Sequence, residues 1–213
     1  MIANELIGKQ FAVLDHGSIT LRDALPLGED MEARCVEISR LSYGNRKRVN
    51  SDEGLWGKLI TKGGAHVKAL EFVRFDFEII APVVVFWQWD TYRHRTFFSE
   101  SGRRVALEQF YIPECEPEQR QRIEHLYANA VRLYEGLIDE GVKREQARLV
   151  LPFGAAYYKR RYSVDGKSLL HFLSQRLERE AQWEIRQYAL AIYTHIYKPL
   201  LPIAAQTVAH LAE

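Results

Sequence analysis

The chain has 213 residues, of which 47% are apolar, so it can close one hydrophobic core, and we expect a single domain over residues 1–213. Its 29 basic and 28 acidic residues leave a net charge of +1, which excludes a surface built as a whole to hold nucleic acid. The two cysteines lack metal-ligand spacing and no apolar run reaches the roughly 20 residues that span a bilayer, which indicates a cytoplasmic protein without a metal, a membrane anchor or a stable nucleic-acid partner.

The first quarter of the chain carries one strand signal and two helix signals. Residues 11–21 hold apolar pairs around polar turn residues, which predicts a short strand and a turn. Residues 29–41 carry apolar side chains at helical spacing, and Gly44-Asn45 supplies a stop. Ser51 is suited to cap a second helix, whose apolar stripe ends at Gly63-Gly64.

The clearest strand covers residues 73–79, where apolar and charged side chains alternate as in a strand with one solvated face. Pro82 follows, and proline is favoured in the first turn of a helix. The apolar and aromatic residues after it predict a buried helix over residues 83–95.

The C-terminal half is mainly helical in pattern. Residues 117–140 and 143–151 show helical periodicity and end at a glycine and a proline. Residues 155–164 carry three tyrosines and are interpreted as a second strand element. Residues 167–198 return to helical spacing, as one long helix or as two. Together these elements predict an α+β domain.

The chemistry is expected between residues 90 and 104, where four arginines stand against two acids and leave a local charge of +2. Guanidinium groups stay charged and offer planar forks of donors that suit phosphate. Ser101-Gly102 adds a hydroxyl and a backbone that a ligand can approach closely. The pattern indicates an anion-binding segment, with a solvated basic turn as the alternative.

The order of motifs resembles the flavin-dependent thymidylate synthases. The likeness covers residues 11–197 and rests on several segments in matching order. These are Gln88-Trp89, Arg93-His94-Arg95, Ser101-Gly102-Arg103, Phe110-Tyr111-Ile112-Pro113, residues 144–152, Ser168-Leu169 with Phe172-Leu173, Arg176, and residues 181–190.

The resemblance implies a flavin-dependent thymidylate synthase-like fold, with a central, mostly antiparallel sheet flanked by helices. It implies a methyltransferase of nucleotide biosynthesis, a homotetramer that binds FAD at subunit junctions. NADPH reduces the flavin, and 5,10-methylenetetrahydrofolate supplies the carbon that is added to C5 of the uridine monophosphate. By position, the FAD contacts are Ser42, His66, Arg93, His94, Arg95, Glu100, Lys167 and His171. The nucleotide contacts are Gln88, Ser101, Gly102, Arg103, Arg148 and Arg176, with Arg176 and Ser101 as the catalytic pair.

The spacing departs from the family pattern. The spacer between the Arg93-His94-Arg95 triplet and Ser101, residues 96–100, is shorter than in the family pattern. The spacer between Gln88-Trp89 and the triplet, Asp90-Thr91-Tyr92, is longer than in that pattern. If the family motif is aligned with this chain without gaps, Arg93 takes the third triplet position, and Thr91 and Tyr92 take the other two. The FAD contacts of His94 and Arg95 depend on which register holds.

Four replacements bear on the ligands. Arg104 stands where the family has a tyrosine, Lys68 where a threonine is common, His171 where an asparagine is usual, and Glu180 where a histidine often lies. They lead to the hypothesis that the nucleotide or its sugar differs from dUMP, and a polar pocket at Arg104 suits the 2′-hydroxyl of UMP.

The acidic neighbours of Cys115 argue against a thiolate nucleophile. Two other functions stay open: a non-catalytic nucleotide or RNA-binding module, and a flavoprotein of the same fold that only oxidises NADPH.

Overall fold

A computed structural model describes residues 2–27, 30–43, 51–105 and 107–213. A five-stranded, fully antiparallel sheet forms its centre. The strands are β1 Gln10–Val13, β2 Gly17–Leu25, β3 Arg74–Pro82, β4 Arg95–Ser99 and β5 Tyr157–Asp165. They lie in the order β1-β2-β3-β5-β4. The middle strand, β3, therefore pairs with β2 on one side and with β5 on the other.

Helices connect and flank these strands. They are α1 Ile2–Leu6, α2 Met31–Arg40, α3 Asp52–Lys62, α4 Val83–Trp89, α5 Pro117–Asp139, α6 Arg144–Ala147, α7 Gly166–Arg176, α8 Trp183–Ile192, α9 Lys198–Leu200 and α10 Pro202–Ala205. A π-helical turn, Tyr193–Tyr197, continues α8 into α9. Among the described residues, no helix is both long and apolar enough to cross a bilayer.

The two faces of the sheet differ because β3 alternates in side-chain character. Phe75, Phe77 and Ile79 are fully buried against the helices. On the other face, Asp76 accepts a hydrogen bond from Nε of Arg161 at 2.6 Å. The sheet thus has one apolar and one charged face, as the alternation over residues 73–79 predicts.

Aromatic packing joins the sheet to helices α4 and α7. Trp89, the last residue of α4, stacks on Phe172 of α7 with ring centroids 4.8 Å apart. It also packs on Tyr162 of β5 at 5.3 Å. This contact fixes the end of α4, and with it the start of the segment that follows.

The locally capped elements were predicted well. Helix α3 begins after Ser51, whose hydroxyl accepts a hydrogen bond from the Gly54 amide at 3.1 Å, and ends at Gly63. Helix α2 covers most of residues 29–41, of which residue 29 lies outside the described residues. The predicted stop at Gly44-Asn45 also lies outside them.

The helix predicted over residues 83–95 is wrong in its second half. Helix α4 ends at Trp89, and Arg95 begins β4, which pairs with β5. Nothing local marks that strand, since its partner lies more than 60 residues further along the chain. Residues 143–151 form only the short α6 and a 3-10 turn, Arg148–Val150. Residues 167–198 form two main helices, α7 and α8, which decides the alternative left open by the sequence.

Candidate active site

A cavity of about 510 Å³ opens where the paired ends of β3 and β5 meet the start of helix α7. Arg74 and Asp165 face each other in register at these strand ends. Asp165 also caps α7, because its carboxylate accepts hydrogen bonds from the amide and the hydroxyl of Ser168, each at 2.8 Å. The lining residues are Glu71, Arg74, Tyr92, Arg93, His94, Asp165, Lys167, Ser168 and His171.

A glycine at the start of α7 brings the helix close to the preceding chain. A Cβ atom on Gly166 would lie 3.0 Å from the carbonyl oxygen of Leu70, a contact that few side chains tolerate. The Gly166 amide donates to the Val73 carbonyl at 2.8 Å. The first turn of α7 therefore lies against the segment that carries Glu71.

The charges of this cavity are only partly paired. Nζ of Lys167 donates to Glu71 at 2.7 Å, and this hydrogen bond is the main reason that the pKa of Glu71 is lowered. Asp165 is occupied as the helix cap. Arg93 and His94, in contrast, make no side-chain hydrogen bond or ion pair with the described residues, so they are free to bind an anion.

A second cavity of about 390 Å³ continues from the first. It shares Tyr92, Arg93, His94 and His171 with it and adds Thr91, Gln175 and Arg176. Nη2 of Arg176 lies 3.4 Å from the carbonyl oxygen of Gln88. The structure therefore brings two predicted nucleotide contacts, Gln88 and Arg176, beside predicted FAD contacts.

The remaining predicted nucleotide contacts form a separate group around Gly102, which is buried. A Cβ atom there would lie 2.2 Å from the hydroxyl of Tyr158 and 2.8 Å from Nη1 of Arg148, so any side chain at this position would displace both groups. The Ser101 hydroxyl lies 3.4 Å from the Arg103 amide, and the Arg103 guanidinium donates to Glu145 at 3.3 Å. The Tyr158 hydroxyl is buried without a partner among the described residues.

Strand β4 separates this group from the cavities. Arg93 and His94 precede the strand, and Ser101 follows it. An extended strand rises about 3.3 Å per residue, so the two groups lie at opposite ends of a segment roughly 15 Å long. In one subunit, the predicted flavin and nucleotide residues do not form one continuous site.

A third place holds Ser42 and His66. They line a pocket of about 280 Å³ between the end of α2, helix α3 and the 3-10 segment Gly64–Phe72. Lys68, one of the departures from the family pattern, lines it too. This pocket shares no residue with the two larger cavities.

Two predicted FAD contacts point into the protein's own structure. Nη2 of Arg95 donates to the carboxylate of Asp90 at 3.0 Å and to the Asp90 carbonyl at 2.9 Å. Glu100 accepts a hydrogen bond from the Lys159 amide at 2.9 Å. Neither residue lines a cavity described above, and their roles as cofactor contacts stay predictions.

Neither cysteine is placed as a nucleophile. Cys35 is fully buried, and burial raises the pKa of its thiol to about 12, so it is not a thiolate at neutral pH. Cys115 is half-buried and lines none of the cavities above. In the described part of the chain, no three His, Cys, Asp or Glu side chains are grouped so that they could hold a metal ion.

Comparison with known proteins assigns this arrangement to a family. The sequence profile described as thymidylate synthase complementing protein matches residues 25–203, most of the chain. The chain belongs to this family. It is 37% identical to a flavin-dependent thymidylate synthase of Thermus thermophilus, over 90% of this chain and 75% of that protein. Flavin-dependent thymidylate synthases of Pseudothermotoga lettingae and Thermosipho africanus are each 34% identical, over 89% of both chains and 91% of both chains, respectively.

Membership of the thymidylate synthase complementing protein family confirms the resemblance found in the sequence, and with it the enzyme class and the α+β fold. The two cavities contain further residues that the sequence did not assign as ligand contacts: Glu71, Arg74, Ser168, Gln175, Thr91 and Tyr92. The register question could have indicated the last two, because the reading without gaps places them at triplet positions.

Proposed function

We propose that the chain methylates C5 of a uridine 5′-monophosphate, dUMP or UMP, as a cytoplasmic, single-domain flavoprotein. The carbon comes from 5,10-methylenetetrahydrofolate, and FAD reduced by NADPH supplies the hydride. The observation that carries the proposal is the cavity of about 510 Å³ with unpaired Arg93 and His94, in a chain of this family.

The lining of that cavity fits a flavin dinucleotide. Its volume lies within the range of about 300–1,000 Å³ that cofactor sites occupy. Arg93 and His94 offer donors that no described residue occupies, and Arg74 adds a further positive charge. Such donors suit the two phosphates of the dinucleotide. Lys167 and His171 complete the set of residues that would hold FAD here.

The group around Gly102 fits a nucleotide phosphate. Ser101 supplies a hydroxyl, Gly102 an approachable backbone, and Arg103 and Arg148 the positive charge. The buried hydroxyl of Tyr158, which lies beside Arg148, adds a donor. Burial raises the pKa of Tyr158, so this hydroxyl keeps its proton at neutral pH and can donate it to a phosphate oxygen.

Arg176 is the residue proposed to activate the pyrimidine. Its guanidinium can stabilise negative charge that develops on the ring, which removes the need for a protein nucleophile. The burial of Cys35 is consistent with this scheme. Arg176→Ala should retain flavin but abolish methyl transfer, and unchanged turnover would contradict the role.

The separation of the predicted contacts supports a homotetramer. In such an assembly, Ser101, Gly102, Arg103 and Arg148 of one subunit would face the flavin residues of a neighbour. Ser42 and His66 would reach the cofactor in the same way from their separate pocket, whereas Arg95 and Glu100 would first have to exchange their bonds to Asp90 and to the Lys159 amide. Helix α5 offers a surface for assembly. None of its 23 residues is buried in one subunit, and its apolar side chains Leu126 and Leu133 are exposed.

The choice between dUMP and UMP depends on the sugar. Arg104 is exposed, and its carbonyl accepts a hydrogen bond from Arg144 at 3.5 Å. A polar neighbour of this kind suits a ribose 2′-hydroxyl. Turnover of both nucleotides side by side decides the question, and a strong preference for dUMP would remove UMP as the substrate.

The alternatives give different results in the same preparation. A yellow protein that forms methylated nucleotide only when methylenetetrahydrofolate is present supports the proposal. Oxidation of NADPH without methylated product indicates a flavoprotein without folate chemistry. A colourless protein that binds RNA with steep salt dependence indicates a binding module. The ion pairs of Arg95 with Asp90 and of Arg103 with Glu145 argue against that module, since they engage two of the four arginines of residues 90–104 within the protein.

A further inference from the structure

Tyr92 lines both the cavity of about 510 Å³ and the cavity of about 390 Å³. Its ring is wedged against helix α7, with centroids 5.3 Å from Phe172 and 5.8 Å from His171. Phe172 is fully buried, so this wall is rigid. Tyr92 therefore presents a fixed aromatic face at the junction of the two cavities.

The guanidinium of Arg176 lies over that face. Its central carbon is 5.3 Å from the centroid of the Tyr92 ring, within the range of a cation–π contact. The Coulomb attraction of the Arg176 charge is directed at the electron-rich ring face, so the ring limits the positions that the guanidinium can take.

Thr91 and Gln88 hold one edge of the same guanidinium. Nη2 of Arg176 lies 3.4 Å from the Thr91 hydroxyl and 3.4 Å from the Gln88 carbonyl. The Thr91 hydroxyl donates to that carbonyl at 2.8 Å, so its oxygen is turned toward Arg176 as an acceptor. Nε of Arg176 is buried and has no partner among the described residues.

We propose that Tyr92 and Thr91 are positioning residues that orient Arg176 toward the uridine nucleotide, a role that rests on the function proposed above. They belong to the segment Asp90-Thr91-Tyr92, whose register against the family motif the sequence left open. The ring of Tyr92 contacts the face of the guanidinium, and the hydroxyl of Thr91 accepts a hydrogen bond at its edge. Neither residue is assigned a step of the reaction.

The test compares Tyr92→Leu with Tyr92→Phe in the full-length, flavin-loaded protein. Tyr92→Leu removes the aromatic face and should weaken dUMP or UMP binding, measured by calorimetry, about 5- to 30-fold. Tyr92→Phe keeps the ring and should bind within about twofold of the wild type. Flavin content and Tm should match in the two variants, and KM should rise more than kcat falls.

A double-mutant cycle separates this role from simple support of the fold. If Tyr92 acts through Arg176, then Tyr92→Leu should weaken nucleotide binding no further in an Arg176→Ala background. Thr91→Val gives a second measurement that does not alter the ring, and should weaken binding about threefold to tenfold in the wild-type background alone.

The outcomes distinguish this inference from the proposed function. A wild-type protein that binds FAD but neither nucleotide overturns both. A wild type that binds and methylates the nucleotide, together with a Tyr92→Leu variant of unchanged affinity, overturns only the positioning role. Equal losses in Tyr92→Phe and Tyr92→Leu, or additive losses with Arg176→Ala, overturn it as well. If Tyr92→Leu does not fold, Thr91→Val in the same cycle decides the matter.

Discussion

Nη2 of Arg95 lies 3.0 Å from a carboxylate oxygen of Asp90, and this ion pair turns Arg95 away from the cavity that Arg93 and His94 line. Arg160 of β5 donates to the same carboxylate at 2.8 Å. Asp90 thus joins the end of α4 to the strands β4 and β5. Neighbouring residues of one triplet are therefore placed differently: Arg93 lines the cavity, and Arg95 is paired with Asp90.

Asp90→Ala should destabilise the protein by about 2–3 kcal/mol in urea unfolding. Two largely buried guanidinium groups, Arg95 and Arg160, would lose their partner, and removal of one member of a buried ion pair typically costs about 3–5 kcal/mol. The lower figure reflects the 33% exposure of the Asp90 side chain. Glu37→Ala is the control, because its exposed pair with Arg34 should contribute less than about 1 kcal/mol. Equal effects of the two variants would contradict the account.

The contribution of Glu32 to the free energy of unfolding should fall as pH rises. Its buried carboxylate accepts hydrogen bonds from the amides of Ile203 and Ala204 at 2.8 and 2.9 Å, at the start of α10. Burial is the main cause that raises its pKa above 4.5, so the folded state keeps the proton longer than the unfolded state does. Stability from this group is complete below the unfolded pKa and is lost as pH rises through the folded pKa.

Two substitutions at Glu32 test this linkage. Glu32→Gln keeps an acceptor without the charge, so the difference in Tm between the variant and the wild type should grow in favour of the variant from pH 4 to pH 7. Glu32→Ala leaves both amides without an acceptor and should lower stability at every pH. A Glu32→Gln difference that is constant with pH would refute the linkage.

Gly102→Ala should weaken nucleotide binding at least about tenfold while leaving flavin content unchanged. The new methyl group would displace the Tyr158 hydroxyl and the Arg148 guanidinium, which lie 2.2 and 2.8 Å from its position. Gly57→Ala in helix α3 is the matched control, because nothing lies within 4 Å of its added Cβ. The control should keep nucleotide affinity and gain up to about 1 kcal/mol of stability. Unchanged affinity in Gly102→Ala would separate this group from the nucleotide.

Charged substitutions on α5 should dissociate the proposed tetramer. Leu126 and Leu133 are 64% and 54% exposed in one subunit and lie one heptad apart on the helix. Leu126→Asp with Leu133→Asp should therefore reduce the mass measured by light scattering and lower the flavin content together. Leu27→Asp, at an exposed leucine after β2, controls for the loss of an exposed apolar side chain. A double variant that stays tetrameric would exclude α5 from the interface.

The sequence predicted best the features that depend on neighbouring residues. Helix α3 follows from the Ser51 cap and the Gly63 stop, and β3 follows from the alternation of buried and solvated side chains. The end of α4 and strand β4 depend instead on pairing with β5 and on the Asp90 to Arg160 contact, which joins residues 70 positions apart. No local pattern carries that information.

The candidate site shows the same division. Motif order correctly indicated the family. Four of the residues that it implied as FAD contacts, Arg93, His94, Lys167 and His171, line one cavity, and their role stays a prediction. Motif order also placed Ser101 to Arg103 in the same site. Within one subunit, however, these residues lie at the opposite end of β4 from Arg93 and His94. The sequence indicated Tyr92 only through the uncertain alignment of the triplet. Its contacts with Arg176 and Phe172 depend on how α7 packs, which no local pattern shows.

The most direct test follows the carbon atom. The purified protein is loaded with FAD and supplied with NADPH and labelled 5,10-methylenetetrahydrofolate, and each of dUMP and UMP is offered in a separate reaction. We expect a flavin spectrum and label at C5 of at least one of the two nucleotides, with no label transfer when NADPH is omitted. A protein that cannot be loaded with FAD, or that oxidises NADPH without labelling either nucleotide, would contradict the proposed function.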